Sequence, residues 1–110
     1  MNKIYTSIDQ SQKFIELGID INTADMRYSP LNPDIPWVWV GKPLIEKDAI
    51  PAWSLSALMD VLDRGILFKT PQGWACQSYI DFKAITSEYY SNPIDACVEM
   101  ILKLKENKII

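Results

Sequence analysis

The sequence predicts an α+β domain in which three helices pack on one side of a small antiparallel β-sheet of about three strands. Three observations support this class. Three segments begin with helix-capping residues, one turn sequence is flanked by β-forming residues, and the prolines between residues 19 and 51 exclude long helices there. Because 110 residues is a common size for one domain, we expect residues 1–110 to share a single core.

The first helix is predicted over residues 7–17. Ser7 and Gln10 have the spacing of a capping box, in which each side chain accepts a hydrogen bond from the other residue's backbone amide. Gly18 follows and can adopt the left-handed conformation that commonly ends a helix. The residues expected to face inward are Ile8, Phe14, Ile15 and Leu17.

The second helix is predicted over residues 54–63. Ser54 is a favourable N-cap, and we expect Gly65 to end the helix. Apolar residues recur with the spacing of one helical face, which indicates a buried stripe. This stripe consists of Leu55, Leu58, Met59 and Leu62.

The third helix is predicted over residues 93–107. Asn92 is a suitable N-cap, and Pro93 takes the first helical position, where its missing amide hydrogen costs nothing. The pattern again predicts one buried face. That face consists of Ile94, Cys97, Val98, Ile101 and Leu104.

A β-hairpin is predicted from two β-forming segments, residues 66–69 and 74–82. They flank residues 70–73, where proline and glycine occupy positions that a type I turn favours. A further short strand is predicted over residues 37–40. The prolines near both of its ends indicate an edge strand.

The two cysteines, Cys76 and Cys97, indicate neither a disulfide framework nor a zinc site, because they are few and have no metal-binding spacing. We interpret them as reduced, buried thiols that behave as small hydrophobic side chains. A reactive thiol is the alternative.

No catalytic residue, cofactor or metal site is predicted. The chain has no histidine, which removes the commonest general base and the commonest transition-metal ligand. It also lacks the glycine-rich motifs that bind phosphate groups. Neighbouring carboxylates on the second and third helices are expected to lie on solvated faces, although an enzyme based on carboxylates or a thiol remains a third hypothesis.

Aromatic residues are the strongest candidates for a binding surface. Tryptophan, tyrosine and arginine often anchor protein interfaces, but in a small domain the same residues also fill the core. Both interpretations stay open. The candidate binding residues are Arg27, Tyr28, Trp37, Trp39 and Trp53.

Nucleic-acid binding is the second hypothesis, because a helix followed by a hairpin is typical of a winged helix. Against it, the net charge is −3 and the helix that would read DNA carries Asp60 and Asp63 beside one basic residue, Arg64. We therefore expect no nucleic-acid partner. The chain also shows no export signal and no apolar run of membrane-spanning length, so we expect a cytoplasmic protein.

Four segments, residues 17–20, 22–26, 50–58 and 92–101, resemble those of small uncharacterised proteins encoded in phages and integrated elements of gut bacteria. This resemblance implies a phage-related or mobile-element context and carries no activity with it. Together with the absent motifs, it leads us to expect a non-enzymatic accessory or protein-interaction domain. Its partner would be another protein or a second copy of the chain.

Overall fold

The structure, a computed structural model, describes residues 4–29, 32–38, 49–80 and 83–110. Its helices and strands confirm the α+β class and all three predicted helices. In chain order the elements are α1 (Ile8–Glu16), a 3₁₀ turn (Ile21–Thr23), β1 (Met26–Ser29), β2 (Asn32–Val38), β3 (Ile50–Ala52), α2 (Leu55–Leu62), β4 (Gly65–Thr70), β5 (Gly73–Ile80), β6 (Lys83–Thr86) and α3 (Pro93–Glu106).

The strands form two antiparallel sheets, which corrects the prediction of a single sheet. The first has the order β2-β1-β3 and the second the order β4-β5-β6. Within the first sheet, Met26 pairs with Val38 on one side and with Ala52 on the other. The sequence did not indicate this sheet because β1 and β3 are only four and three residues long, too short to show an alternating pattern.

The predicted hairpin and edge strand are both present. Thr70 pairs with Gly73 across a two-residue loop, which makes β4 and β5 a tight hairpin. β2 lies at the edge of its sheet, as its prolines indicated, but it begins earlier than predicted. Residues 39 and 40 of the predicted edge strand, and residues 81 and 82 of the predicted second hairpin strand, lie outside the described residues.

The helix caps follow the sequence closely, with one exception. Ser7 and Gln10 form the complete capping box, and Gly18 has a φ of +83° at the end of α1. Ser54 caps α2, but the residue with a positive φ at its end is Asp63, with a φ of 61°, whereas Gly65 already belongs to β4. The expectation that Gly65 ends α2 is therefore wrong.

The core is built around α3. All five residues of its predicted stripe are at most 3% exposed, and Ala96 and Met100 are fully buried as well, so the buried face is wider than the stripe. α3 packs against β5 and α2. Cys76 and Cys97 are free and buried, as predicted.

α1 packs against the first sheet through a narrower face than the sequence suggested. Phe14 is fully buried against Trp53, with their rings nearly perpendicular at 71° and their centroids 5.0 Å apart. Ile15, in contrast, is 44% exposed, so its predicted inward position is wrong. Ser11 takes the second buried position on this helix, where its hydroxyl hydrogen-bonds with that of Thr6 at 2.8 Å.

In the described ranges, no helix has both the length and the apolar character needed to cross a bilayer.

We expect Leu58→Ala and Ile101→Ala each to lower the free energy of unfolding by about 2–5 kcal/mol, because both side chains are fully buried and their truncation leaves a cavity. Urea denaturation measures this. Ile15→Ala is the matched control and should cost less than about 1 kcal/mol, since Ile15 is partly in solvent. Equal losses for Ile15→Ala and Ile101→Ala would contradict the assignment of the buried faces.

Candidate functional site

Two of the predicted binding residues, Tyr28 and Trp53, belong to the interior. Trp53 is fully buried, and its indole N–H donates to Thr23 Oγ1 at 2.9 Å. Tyr28 is 4% exposed, and its hydroxyl donates to the backbone carbonyl of Thr6 at 2.6 Å. These positions favour the packing interpretation for both residues, because neither presents its ring to solvent.

The structure describes the other three predicted residues only in part. Arg27 is partly buried on β1, where it pairs with Trp37 on one side and with Pro51 on the other. The Trp37 side chain and the whole of Trp39 lie outside the described residues. A contact surface that includes these tryptophans therefore stays a prediction.

A different feature, which we call the hairpin pocket, is a cavity that opens to the surface beside the β4–β5 turn. Its volume of about 470 Å³ lies within the usual range for ligand sites. The β4–β5 turn forms one wall, and the first residues of α2 and α3 contribute to the rest. It is lined by Ile4, Leu55, Lys69, Thr70, Pro71, Gln72, Gly73, Trp74, Ser91, Pro93 and Ile94.

Hydrogen bonds within the turn fix the hairpin wall. The Thr70 hydroxyl donates to the Gly73 carbonyl at 3.2 Å and accepts from the Gln72 backbone amide at 3.1 Å. A threonine hydroxyl that bonds to the backbone of its own turn restricts the turn to one shape. The loop therefore presents a preformed surface to the cavity.

The hairpin is also joined to the segment that precedes α3. The Trp74 amide donates to the Tyr90 carbonyl at 2.7 Å, and the Tyr90 amide donates back to the Trp74 carbonyl at 2.8 Å. At Gly73, with a φ of +131°, an added Cβ would lie 2.6 Å from the Tyr90 carbonyl oxygen. The close approach of these two walls thus requires glycine at this position.

The electrostatic character of the hairpin pocket is positive. Lys69 is the one titratable side chain among the described lining residues, and its Nζ lies 5.6 Å from the centre of the Trp74 ring. The N-terminus of α3, the positive end of its dipole, starts at the same cavity. Asp95 lies in that first turn, but its carboxylate accepts hydrogen bonds from Gln10 and Asn92 and does not line the cavity.

The lining offers several groups that can contact a ligand. Thr70 and Ser91 carry hydroxyls, and Lys69 carries the one charge among the described lining side chains. The apolar lining side chains can contact an apolar group while Lys69 attracts a negative charge. Sequence reasoning missed this pocket because its lining comes from four separate stretches of the chain.

The fold class is thus α+β with two small sheets, and the comparisons with known proteins add no narrower class. No family model, no curated protein and no solved structure matches the chain. The phage or mobile-element context suggested by the sequence therefore stays a prediction.

We expect Gly73→Ala to destabilise the protein by about 2–5 kcal/mol, because the new methyl group meets a backbone oxygen and the residue keeps a positive φ. Gly18→Ala is the control. Its φ is also positive, but its Cβ would meet nothing closer than Lys105 Cε at 3.9 Å, so it should cost only about 1–2 kcal/mol. Denaturation midpoints measure both, and a smaller loss at Gly73 than at Gly18 would contradict the close approach of Tyr90.

The buried phenol of Tyr28 predicts a loss of stability at high pH. Burial, with a smaller contribution from Tyr5, raises the pKa of Tyr28 from 10.0 to about 12. Between these values the unfolded chain releases this proton while the folded protein keeps it. The contribution of Tyr28 to stability is therefore fully present below about pH 10 and is lost as the pH rises toward 12.

Urea midpoints measured from about pH 9 to pH 11.5 should therefore decline less steeply in Tyr28→Phe than in the wild type. The change of the urea midpoint with pH is the readout. The midpoint at a single pH does not serve, because the variant also loses the hydrogen bond to Thr6 at every pH. Tyr79→Phe, which alters a phenol that is 49% exposed, should keep the wild-type slope. An unchanged slope in Tyr28→Phe would show that this phenol does not carry the effect.

Proposed function

We propose that this protein is a non-enzymatic interaction domain that binds a short segment of another protein in the hairpin pocket. The bound segment has an apolar side chain next to an acidic residue. The observation that carries the proposal is the composition of the pocket: apolar side chains beside polar ones, a fixed turn and one cationic side chain, Lys69.

Charge complementarity supports an acidic partner. Lys69 and the N-terminus of α3 both attract negative charge at the same cavity. Asp95, the carboxylate in the first turn of α3, accepts hydrogen bonds from Gln10 and Asn92. A basic segment would meet two positive groups and, among the lining residues that the structure describes, no carboxylate. The positive charge of the pocket therefore favours acidic partners over basic ones.

The surroundings of the cavity support a protein segment over a small molecule. Ile4 lines the pocket yet is 64% exposed, so the apolar surface continues from the cavity onto the surface of the protein. A small ligand would leave this part uncovered, whereas a peptide can fill the cavity and cover Ile4 together. Interfaces are commonly built in this way, with an anchor in a pocket and a wider contact around it.

Selection from a random peptide library displayed on phage tests the proposal. We expect peptides that bind the immobilised domain to share an aliphatic or aromatic residue adjacent to aspartate or glutamate. Lys69→Met should weaken the binding of a selected peptide roughly two- to fivefold, the range for an exposed ion pair. Lys83→Met removes the same charge from an exposed residue outside the pocket and should leave the affinity unchanged.

Chemical-shift mapping with a selected peptide locates the site, since the Trp74 indole and the Ile94 methyl groups should shift on binding. Shifts confined to another surface would contradict the proposal, as would enrichment of basic peptides. N-acetylleucine, a small apolar acid, is the probe for the small-molecule alternative. If it produced the same shifts with equal affinity, the pocket would be a small-ligand site instead of a protein-binding one.

A further inference from the structure

Among the described strands, four lie at the edges of the two sheets, and three of them carry features that hinder pairing with a further strand. β2 contains Pro33 and Pro36, and β3 has Pro51 at the centre of its three residues. β6 is only four residues long and begins with Lys83. Prolines, charges and short length are usual protections of sheet edges. β4 differs, because its six residues include three consecutive apolar ones and no proline.

The backbone of β4 directs three residues toward its open edge. In an antiparallel pair, the N–H and C=O groups of successive residues point alternately toward the paired strand and away from it. Trp74 of β5 uses both of these groups on Tyr90, which lies on the side of β5 away from β4. Lys69, which pairs with Trp74, therefore points its own N–H and C=O away from β5. By the same alternation Leu67 and Gly65 do so too, and no described strand pairs with them on that side.

Apolar side chains lie beside this open edge. Ile66 is 47% exposed, and Phe68, on the same face of the strand, is only partly buried. Leu67, between them, points to the opposite face, where it packs against the core. A strand added at this edge would therefore cover apolar surface and also satisfy the backbone groups.

We propose that β4 is a dimerisation site, at which two copies of this chain pair their β4 strands antiparallel about a two-fold axis at Leu67. In this register Leu67 opposes Leu67 of the other copy, and Gly65 of each copy opposes Lys69 of the other. All three outward residues of each copy thus gain hydrogen-bonding partners. Ile66 of each copy opposes Phe68 of the other, so both side chains are covered. The two three-stranded sheets become one continuous sheet.

The neighbouring registers satisfy fewer backbone groups. An axis at Ile66 would place Lys69 opposite Asp63, whose φ of 61° takes it out of the extended conformation. An axis at Phe68 would place Gly65 opposite Pro71, which has no N–H to donate. Backbone chemistry therefore selects the axis at Leu67.

Charge and length favour a second copy of β4 as the occupant. In the proposed register, neither Arg64 nor Lys69 opposes a charged residue of the other copy. Asp63 lies diagonal to the other copy's Lys69, at a spacing that a long side chain can reach, so opposite charges approach each other on both sides of the axis. Pairing β4 with β6 of another copy would instead match six residues with four, and it would leave open edges that extend the assembly.

Sedimentation velocity of the full-length protein from about 5 µM to about 500 µM tests the proposal. Because the contact is confined to one strand from each copy, we expect a weak dimer whose fraction rises with concentration across this range. Monomer at every concentration would overturn the proposal. So would a series of larger oligomers, which pairing between unlike edges produces.

Amide hydrogen exchange measured by NMR identifies the strand and the register in the wild-type protein. In dilute solution the Gly65, Leu67 and Lys69 amides should exchange faster than those of Ile66 and Phe68, which point toward β5. In concentrated solution these three amides should slow together as the dimer forms. Association that slows exchange in β6 and leaves these three amides unprotected would contradict the proposal.

Ile66→Lys should raise the dissociation constant of the dimer about tenfold or more, because a lysine charge would have to be covered opposite Phe68 of the other copy. The matched control is Ala84→Lys, which adds the same charge at an exposed position of β6, the other edge strand of this sheet. It should leave the dissociation constant unchanged. Equal dissociation constants for the wild type and Ile66→Lys would count against β4. The wild-type experiments decide the proposal even if a variant fails to fold.

Discussion

The first half of the fold depends on the burial of Trp53 between α1, the first sheet and α2. Its ring packs edge to face against Phe14, its indole N–H donates to Thr23, and its backbone exchanges hydrogen bonds with Thr6. A large side chain of this kind is stable in a core only when its polar N–H has an acceptor. Because these partners belong to different segments, one residue fixes the positions of α1, the 3₁₀ turn and the chain entering α2.

The second half depends on α3, and the hairpin pocket follows from the way in which its start is held. The paired backbone hydrogen bonds between Trp74 and Tyr90 join the hairpin to the segment before α3, and Gly73 permits their close approach. Asn92 then caps the helix. The helix start, the turn and Lys69 are therefore held around one cavity before any ligand binds, which reduces the entropy lost on binding.

The sequence by itself determined the helices, their N-terminal caps and the hairpin, because these depend on residues close together in the chain, as in the pairing of Ser7 with Gln10. It did not determine the first sheet, whose short strands β1 and β3 gain stability only by pairing with other strands. Nor could it choose between core and surface for Trp53, since an aromatic residue suits both. Tertiary structure alone decided this, and it alone brought Lys69 to the start of α3, because such contacts depend on packing between distant segments.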